Sequence, residues 1–396
     1  MKAAFNTAGC ARYSFWRIET TRAIKYLLTA TIACQFLLTP FISAAVAQES
    51  VKDTRPSIAP DIREDQMKMK VQQGNFVVVP IPISNPTVGT GLVAGGAYFY
   101  PQTEQEKKVQ PASLTAAAGL YTNNESRAFV VAQQNYWQNN SWRFTGAVGA
   151  TDLRLPVVVP DDVGDTRSVD WSIKGNFLYA RLSRKIRGNW YGGLFTRVID
   201  ANQSLAQETK SSDFDTGSVR AVGVGLATEF DSRDLPINSY TGQHFTFDAL
   251  FNDEAIGSKQ SYQSYNAAFT SYHALSKPIV IAWQLLACGR QGTIPLWDAC
   301  RIALRGFPAT DYLGKASYSG QVEARWRFSE RWGAVAFVGS GEVGNSFSGF
   351  RENKSIPSFG AGLRFSVLPA KRINLRLDLA KSQDSEAIYF SVGEAF

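Results

Sequence analysis

Few residues in this chain could do covalent or metal chemistry. There are two histidines and four cysteines among 396 residues. Ser271 and His273 stand two apart on one strand face, as a nucleophile and its base could. Phe269 shares that face, and the third polar group of a hydrolytic site is not beside them. His244 lies on a polar strand face with Asp248, where packing among polar groups accounts for both. Two scattered histidines give no metal-ligand spacing. Gly223-Val224-Gly225 and the glycines from Gly91 to Gly96 are not phosphate-cradling loops, because no helix follows them. The expectation is a non-enzyme with no catalytic, metal or cofactor residues.

The first segment reads as an address. Arg22 and Lys25 precede a mostly apolar stretch, 26–42, that ends in Ala45-Val46-Ala47. A basic region, an apolar region and a small-x-small site make a signal peptide over 1–47. Thr29, Thr31, Gln35, Thr39 and Pro40 interrupt the apolar stretch and argue against a membrane anchor. Cleavage after Ala47 leaves 349 residues and lowers the net charge from +7 to +3. A nucleic-acid partner thereby loses its main support. Cys10 and Cys34 leave as well. Cys288 and Cys300 remain, and in an oxidising compartment the default expectation is a disulfide.

Residues 48–75 are polar and read as a short tail. From Phe76 onward, segments of about ten residues alternate in polarity and are separated by turn residues. In 373–379, Ile373, Leu375, Leu377 and Leu379 oppose Asn374, Arg376 and Asp378. In 321–328, Val322, Ala324, Trp326 and Phe328 oppose Gln321, Glu323, Arg325 and Arg327. Sixteen strands are read, at 76–83, 88–100, 111–122, 125–138, 141–152, 168–184, 188–201, 217–232, 242–253, 262–274, 277–288, 316–328, 331–344, 356–368, 372–381 and 386–396. Tight turns at 139–140, 187–188, 276–277, 329–330 and 370–371 alternate with long loops at 153–167, 202–216, 289–315 and 345–355.

A soluble β-sandwich or propeller would also alternate. Three features favour a membrane barrel: aromatics near strand ends (Trp137, Trp190, Trp326, Trp332), charged residues at mid-strand on one face, and short turns opposite long loops. The expected fold is all-β, a single 16-stranded antiparallel transmembrane β-barrel over 76–396, with a loop folded into the lumen. Its place is the outer membrane of a Gram-negative cell, among outer-membrane lipid, with both termini periplasmic. The ending, with Phe390, Val392 and terminal Phe396, resembles the C-terminal assembly signal of bacterial outer-membrane proteins. That resemblance implies the barrel assembly machinery as a partner during biogenesis.

A family resemblance covers roughly 76–396. Arg305-Gly306-Phe307 lies in the longest loop, and Glu323-Ala324-Arg325 lies in the strand after it. Asp231-Ser232-Arg233-Asp234-Leu235-Pro236 with Gly242, Pro357 through Phe365, the ending Gly393-Glu394-Ala395-Phe396 and the opening Thr90 through Gly96 follow in matching order. Together they resemble the BamA/TamA superfamily of surface-antigen barrels. The resemblance implies a loop whose tip, Arg305-Gly306-Phe307, folds into the lumen and pairs with acids there. Glu323 is the first expected anchor, with Arg325 and Glu342 as further candidates. The family's acid in the thirteenth strand is replaced by Gly339, so the loop is expected to lose one carboxylate. A Cys288–Cys300 bridge would staple the loop to the end of the eleventh strand and offset part of that loss.

Residues 48–75 provide 28 positions, too few for even one of the family's periplasmic receptor modules. Either a separate periplasmic partner recruits substrate, or the barrel does something else. The resulting expectation is a role in outer-membrane biogenesis, or in inserting or transporting protein or lipid. The alternative is a passive diffusion pore or structural surface antigen. Pro80 and Pro82 each remove a ladder donor from the first strand, which suits a weak seam between first and last strands.

Overall fold

The computed structural model describes residues 76–160, 166–205, 217–310, 312–351, 355–369, 372–383 and 385–396. The signal segment, the 48–75 tail and the 370–371 turn lie outside the described residues.

Sixteen antiparallel strands close into one barrel. They are β1 (Phe76–Asn85), β2 (Gly89–Phe99), β3 (Leu114–Thr122), β4 (Arg127–Trp137), β5 (Trp142–Pro160), β6 (Thr166–Arg187), β7 (Trp190–Leu205), β8 (Ser218–Asp231), β9 (Gly242–Asn252), β10 (Tyr262–Ser276), β11 (Ile279–Gly292), β12 (Ala316–Arg327), β13 (Trp332–Gly344), β14 (Ile356–Leu368), β15 (Ile373–Ser382) and β16 (Glu386–Val392). Each strand pairs with its neighbours in sequence, and β1 meets β16. Between β11 and β12 a two-residue ladder, Cys300–Arg301 with Leu313–Gly314, forms inside the loop.

Side-chain polarity is inverted relative to a water-soluble fold. Leu379 is 57% exposed and Val322 48%, while their neighbours Asp378 and Glu323 are 0% exposed. Apolar groups outside and charges inside suit a barrel whose outer face meets hydrocarbon. The outer belt is bordered by aromatic pairs. Near the termini stand Trp190 with Phe230, Trp326 with Phe328, and Trp332 with Phe365, at ring separations of 5.1, 5.3 and 4.9 Å. At the far end Tyr318 packs edge-on to Phe350 at 4.9 Å.

Boundaries differ most from the sequence reading at the ends of β5, β7, β11 and β16; β7 continues to Leu205 and β11 to Gly292, shortening the loops expected after them. The segment 153–167 is not one long loop: β5 continues to Pro160 and β6 begins at Thr166, paired throughout. In that extension the polarity reverses. Leu153, Leu155, Trp171 and Ile173 point inward and are buried, while Arg154 is exposed on the outside. A hairpin projecting beyond the membrane meets water outside and plug residues inside, so alternation persists with its sign changed. The last strand stops at Val392, not Phe396. Phe390 shares the outward face with Leu377, its partner on β15.

Candidate functional site

The loop between β11 and β12 fills the lumen and is fastened in stages. Cys288, on β11, is disulfide-bonded to Cys300. Between them Asp298 accepts from Arg197 on β7 (2.5 Å), from Arg290 on β11 (3.2 Å) and from Ser264 on β10 (2.8 Å). Burial alone would raise the Asp298 carboxyl. The Arg197 and Arg290 cations outweigh burial and hold it down at about 2. Trp297 is buried against the apolar upper lumen, with Leu153, Leu155, Trp171 and Ile173 in the same cluster.

The tip is held by a second ionic centre. Arg305 donates to Glu323 on β12 (2.5 Å), to Asp378 on β15 (2.8 Å) and to Gln321 (3.1 Å). Its guanidinium lies 3.4 Å from the Phe337 ring centroid on β13. Glu323 also takes Arg325 at 2.6 Å, and Asp378 takes Arg364 at 2.5 Å. The row of six ions is completed by Glu394, which accepts from Arg364 at 2.6 Å. Glu323 faces two arginines, and Asp378 faces Arg305 and Arg364 with Arg376 at 3.7 Å, which is how charge is tolerated away from bulk water.

Gly306 has φ +94°, and a Cβ there would meet the Lys381 carbonyl carbon at 3.1 Å, so only glycine lets the tip lie against β15. Its N–H donates to the Tyr389 hydroxyl on β16 (2.9 Å). Phe307 packs with Ile302 and Leu304, with Tyr312, Val343 and Ile356 around them. The wall beneath is glycine: a Cβ on Gly339 would lie 3.2 Å from Leu304, and one on Gly341 would lie 2.6 Å from Ile302.

The end of the barrel that carries the termini is also covered. The β8–β9 connection, 232–241, crosses the mouth. Asp231 receives a forked Arg233 (2.9 and 2.8 Å), and the Asp234 carboxylate accepts the Tyr240 and Thr241 amides at 2.9 and 3.2 Å. Asp234 then takes Arg372 at 2.5 Å, and Asn238 donates to the Arg372 carbonyl at 3.1 Å. Tyr240 lies under the Arg372 guanidinium, 3.9 Å from its ring centroid. Leu235 and Ile237 pack on Ile373. The connection thus reaches β15 across the opening.

The seam is thin. Between β1 and β16 one registered pair occurs among the described residues, Ser84 with Phe390. β1 and β2 share ten pairs, and β15 and β16 share seven. The β1–β2 ladder runs unbroken through Pro80 and Pro82. Their donor-less nitrogens, two residues apart, therefore face the other edge, toward β16. The loop also touches both sides: Gly306 bonds β16, and the Ala309 amide donates to Thr87 (3.0 Å) in the β1–β2 turn.

Of the residues singled out from sequence, Arg305, Gly306, Phe307, Glu323 and Arg325 converge on the tip. Glu342 does not reach Arg305; it accepts from the Tyr318 hydroxyl at 2.6 Å. The second carboxylate is Asp378, and the Asp298 clamp was not foreseen. Phe396 lies past the last strand, and its carbonyl oxygen accepts from Arg325 at 2.8 Å. Ser271 and His273 are hydrogen-bonded at 2.9 Å, with Ser271 fully buried and no carboxylate on His273 among the described residues. His244 lies nearer Glu229 (3.5 Å) than the sequence pairing with Asp248 suggested; Asp248 faces Arg181 at 3.6 Å. Glu229, Asp231 and His244 approach one another closely enough to hold a cation. Arg143, Arg181 and Arg233 already match the two carboxylates.

No protein-family model and no curated protein matches the sequence. Solved structures do match in shape. BamA from Haemophilus ducreyi lacking POTRA domains 1–3 aligns at TM-score 0.56 and 12% identity, over 82% of this chain and 70% of that one. CdiB from Acinetobacter baumannii aligns at 0.53 and 14%, over 82% and 60%, and CdiB from Escherichia coli at 0.52 and 11%, over 82% and 68%. The chain spans 60–70% of the length of these structures. In fold, it is a closed 16-strand antiparallel barrel like those of BamA and CdiB, consistent with the sequence resemblance to the BamA/TamA superfamily.

Proposed function

We propose that this chain is an outer-membrane barrel, with both termini in the periplasm, that inserts or transports protein or lipid through its β1–β16 seam. The observation that carries the reading is the seam itself: one registered pair, clasped from inside by the plug loop at Tyr389 and Thr87. A strand interface with so few ladder bonds is the cheapest place to open the sheet. Opening it pulls Tyr389 away from Thr87, so the Gly306 and Ala309 bonds cannot both be kept and plug and seam move together. The lipid-suited outer face and the BamA and CdiB likeness support the membrane placement. No catalytic chemistry enters this reading. A separate periplasmic partner supplies substrate.

The passive-pore alternative is disfavoured by two obstructions, the loop from one end and the 232–241 connection from the other. The test is depletion in the source bacterium with complementation by Ser84→Cys/Phe390→Cys, a pair placed to cross-link the seam. Depletion is expected to lower outer-membrane protein levels or lipid asymmetry. The cross-linked variant is expected not to restore them, while each single variant does. Absence of any depletion defect, or full rescue by a verified cross-linked seam, would refute the proposal.

A further inference from the structure

The mouth at the terminus end holds a cavity of about 90 Å³, lined from the 232–241 connection, the β10–β11 and β12–β13 turns, and Pro369 and Arg372 beside β14 and β15. Six lining side chains are cationic and two, Glu330 and Glu394, are carboxylates. Three of the cations have acidic partners: Arg325 with Glu323, Arg364 with Asp378 and Glu394, and Arg372 with Asp234. Lys277, Arg327 and Arg331 have no ion pair among the described residues. Arg327 directs its donors to the Tyr240 hydroxyl (2.8 Å) and the Lys277 carbonyl (2.9 Å), both neutral.

The deeper cations are also incompletely used. Arg325 and Arg364 are 7% and 4% exposed, and each keeps one guanidinium nitrogen, Nη1 and Nη2 respectively, without a hydrogen-bond partner. A buried N–H left unsatisfied marks a place where an acceptor belongs. Uncompensated cations at the rim, with unfilled donors beneath, call for an anion with several acceptor oxygens.

The outer border of the same cavity identifies the carrier of that anion. Trp326 and Trp332 line it and are 54% and 45% exposed on the lipid-facing side. Trp beside Arg and Lys is the side-chain set of a membrane–water interface, where basic groups attract anionic lipid. About three waters fill such a volume, the size of one headgroup phosphate, at about 30 Å³ per water. We infer that this cup binds the phosphate of an anionic phospholipid from the periplasmic leaflet, with its acyl chains leaving over Trp326 and Trp332. The assignment rests on the membrane placement proposed above. It is read out on purified protein, so it can fail while the depletion phenotype stands, and the reverse.

The test is native mass spectrometry of the full chain released from detergent micelles carrying phosphatidylglycerol, phosphatidylcholine or inorganic phosphate alone. One phosphatidylglycerol is expected to be retained in preference to phosphatidylcholine. Lys277→Gln/Arg331→Gln, two exposed changes without structural contacts, is expected to weaken retention about tenfold. Lys185→Gln/Arg187→Gln, which removes the same charge at the exposed end of β6, is expected to leave it unchanged. Equal retention by the first variant, or equal loss in both, would overturn the site. Binding of inorganic phosphate that excludes phosphatidylglycerol would overturn the lipid assignment. So would an acidic peptide that binds through Lys277 and Arg331 while the lipid does not.

Discussion

Arg305→Ala isolates what seats the plug. The change deletes three charge-assisted hydrogen bonds, to Glu323, Asp378 and Gln321, and the stacking on Phe337. Removing one member of a buried ion pair costs about 3–5 kcal/mol when the other is left alone. Here neither carboxylate is left alone, since Glu323 keeps Arg325 and Asp378 keeps Arg364. The low end, about 3 kcal/mol, is therefore expected, which at about 1.4 kcal/mol per tenfold is on the order of a hundredfold toward the unseated tip. The disulfide and the Asp298 clamp still hold 288–300, so residues 301–312 alone swing. Single-channel recording should show a wild type that is closed with rare, brief openings. Arg305→Ala should open on the order of a hundred times more often, as that free energy requires. Asp378→Asn alone should fall between, and the double variant should be less than additive because the two share one bond. A large, steady conductance in the wild type would refute the plugged lumen. Unchanged gating in Arg305→Ala would refute Arg305 as its anchor.

Three further outcomes follow from the same loop. Gly306→Ala places a Cβ against the Lys381 backbone at φ +94° and should cost about 1–3 kcal/mol, raising opening less than Arg305→Ala does; no change would show the tip can relax. Reducing Cys288–Cys300 releases a closure across 12 residues, worth on the order of 3 kcal/mol, and should expose the loop to protease cleavage within 293–315 in the folded protein; equal resistance with and without reductant would remove the staple role. Asp298 has a folded pKa of about 2 against an ordinary 3.8, so its stabilisation is complete above about 4 and is lost as pH falls toward 2. Pepsin cleavage of the loop should rise across that window, and Asp298→Asn should abolish the dependence.

The strands were legible because burial in a barrel has one period throughout, and a two-residue repeat survives even where its sign reverses. Val322, Trp326, Leu377 and Leu379 mark the outer face without any knowledge of neighbours. Reversal beyond the membrane was what hid the extended hairpin: Leu153 and Leu155 looked like loop residues because Asp152 and Arg154 had moved to the outside. Glu323 was legible because it lies on the polar face of β12, the strand that directly follows the loop. Asp378 was not, since it comes from β15, 73 positions from Arg305, and reaches the tip only through the register of three intervening ladders. Asp298 carried a weaker signal. Arg197, Ser264 and Arg290 are inward and polar on three strands, yet nothing local sets them at one height.

Gly339 lets the loop lie directly on β13. An acid there is excluded because Leu304 and the Gly320 carbonyl occupy its space, at 3.2 and 2.7 Å from where a Cβ would stand. With the loop pressed onto β13, Arg305 passes over Phe337 and reaches beyond it to Asp378. The tip therefore lies beside the closing strands, where Gly306 meets Tyr389 and Ala309 meets Thr87. Arg305 thereby holds two carboxylates, while the loop beside it is tied to both sides of the seam. The tip and the seam share the Gly306–Tyr389 and Ala309–Thr87 hydrogen bonds, so unseating the one removes two contacts that hold the other.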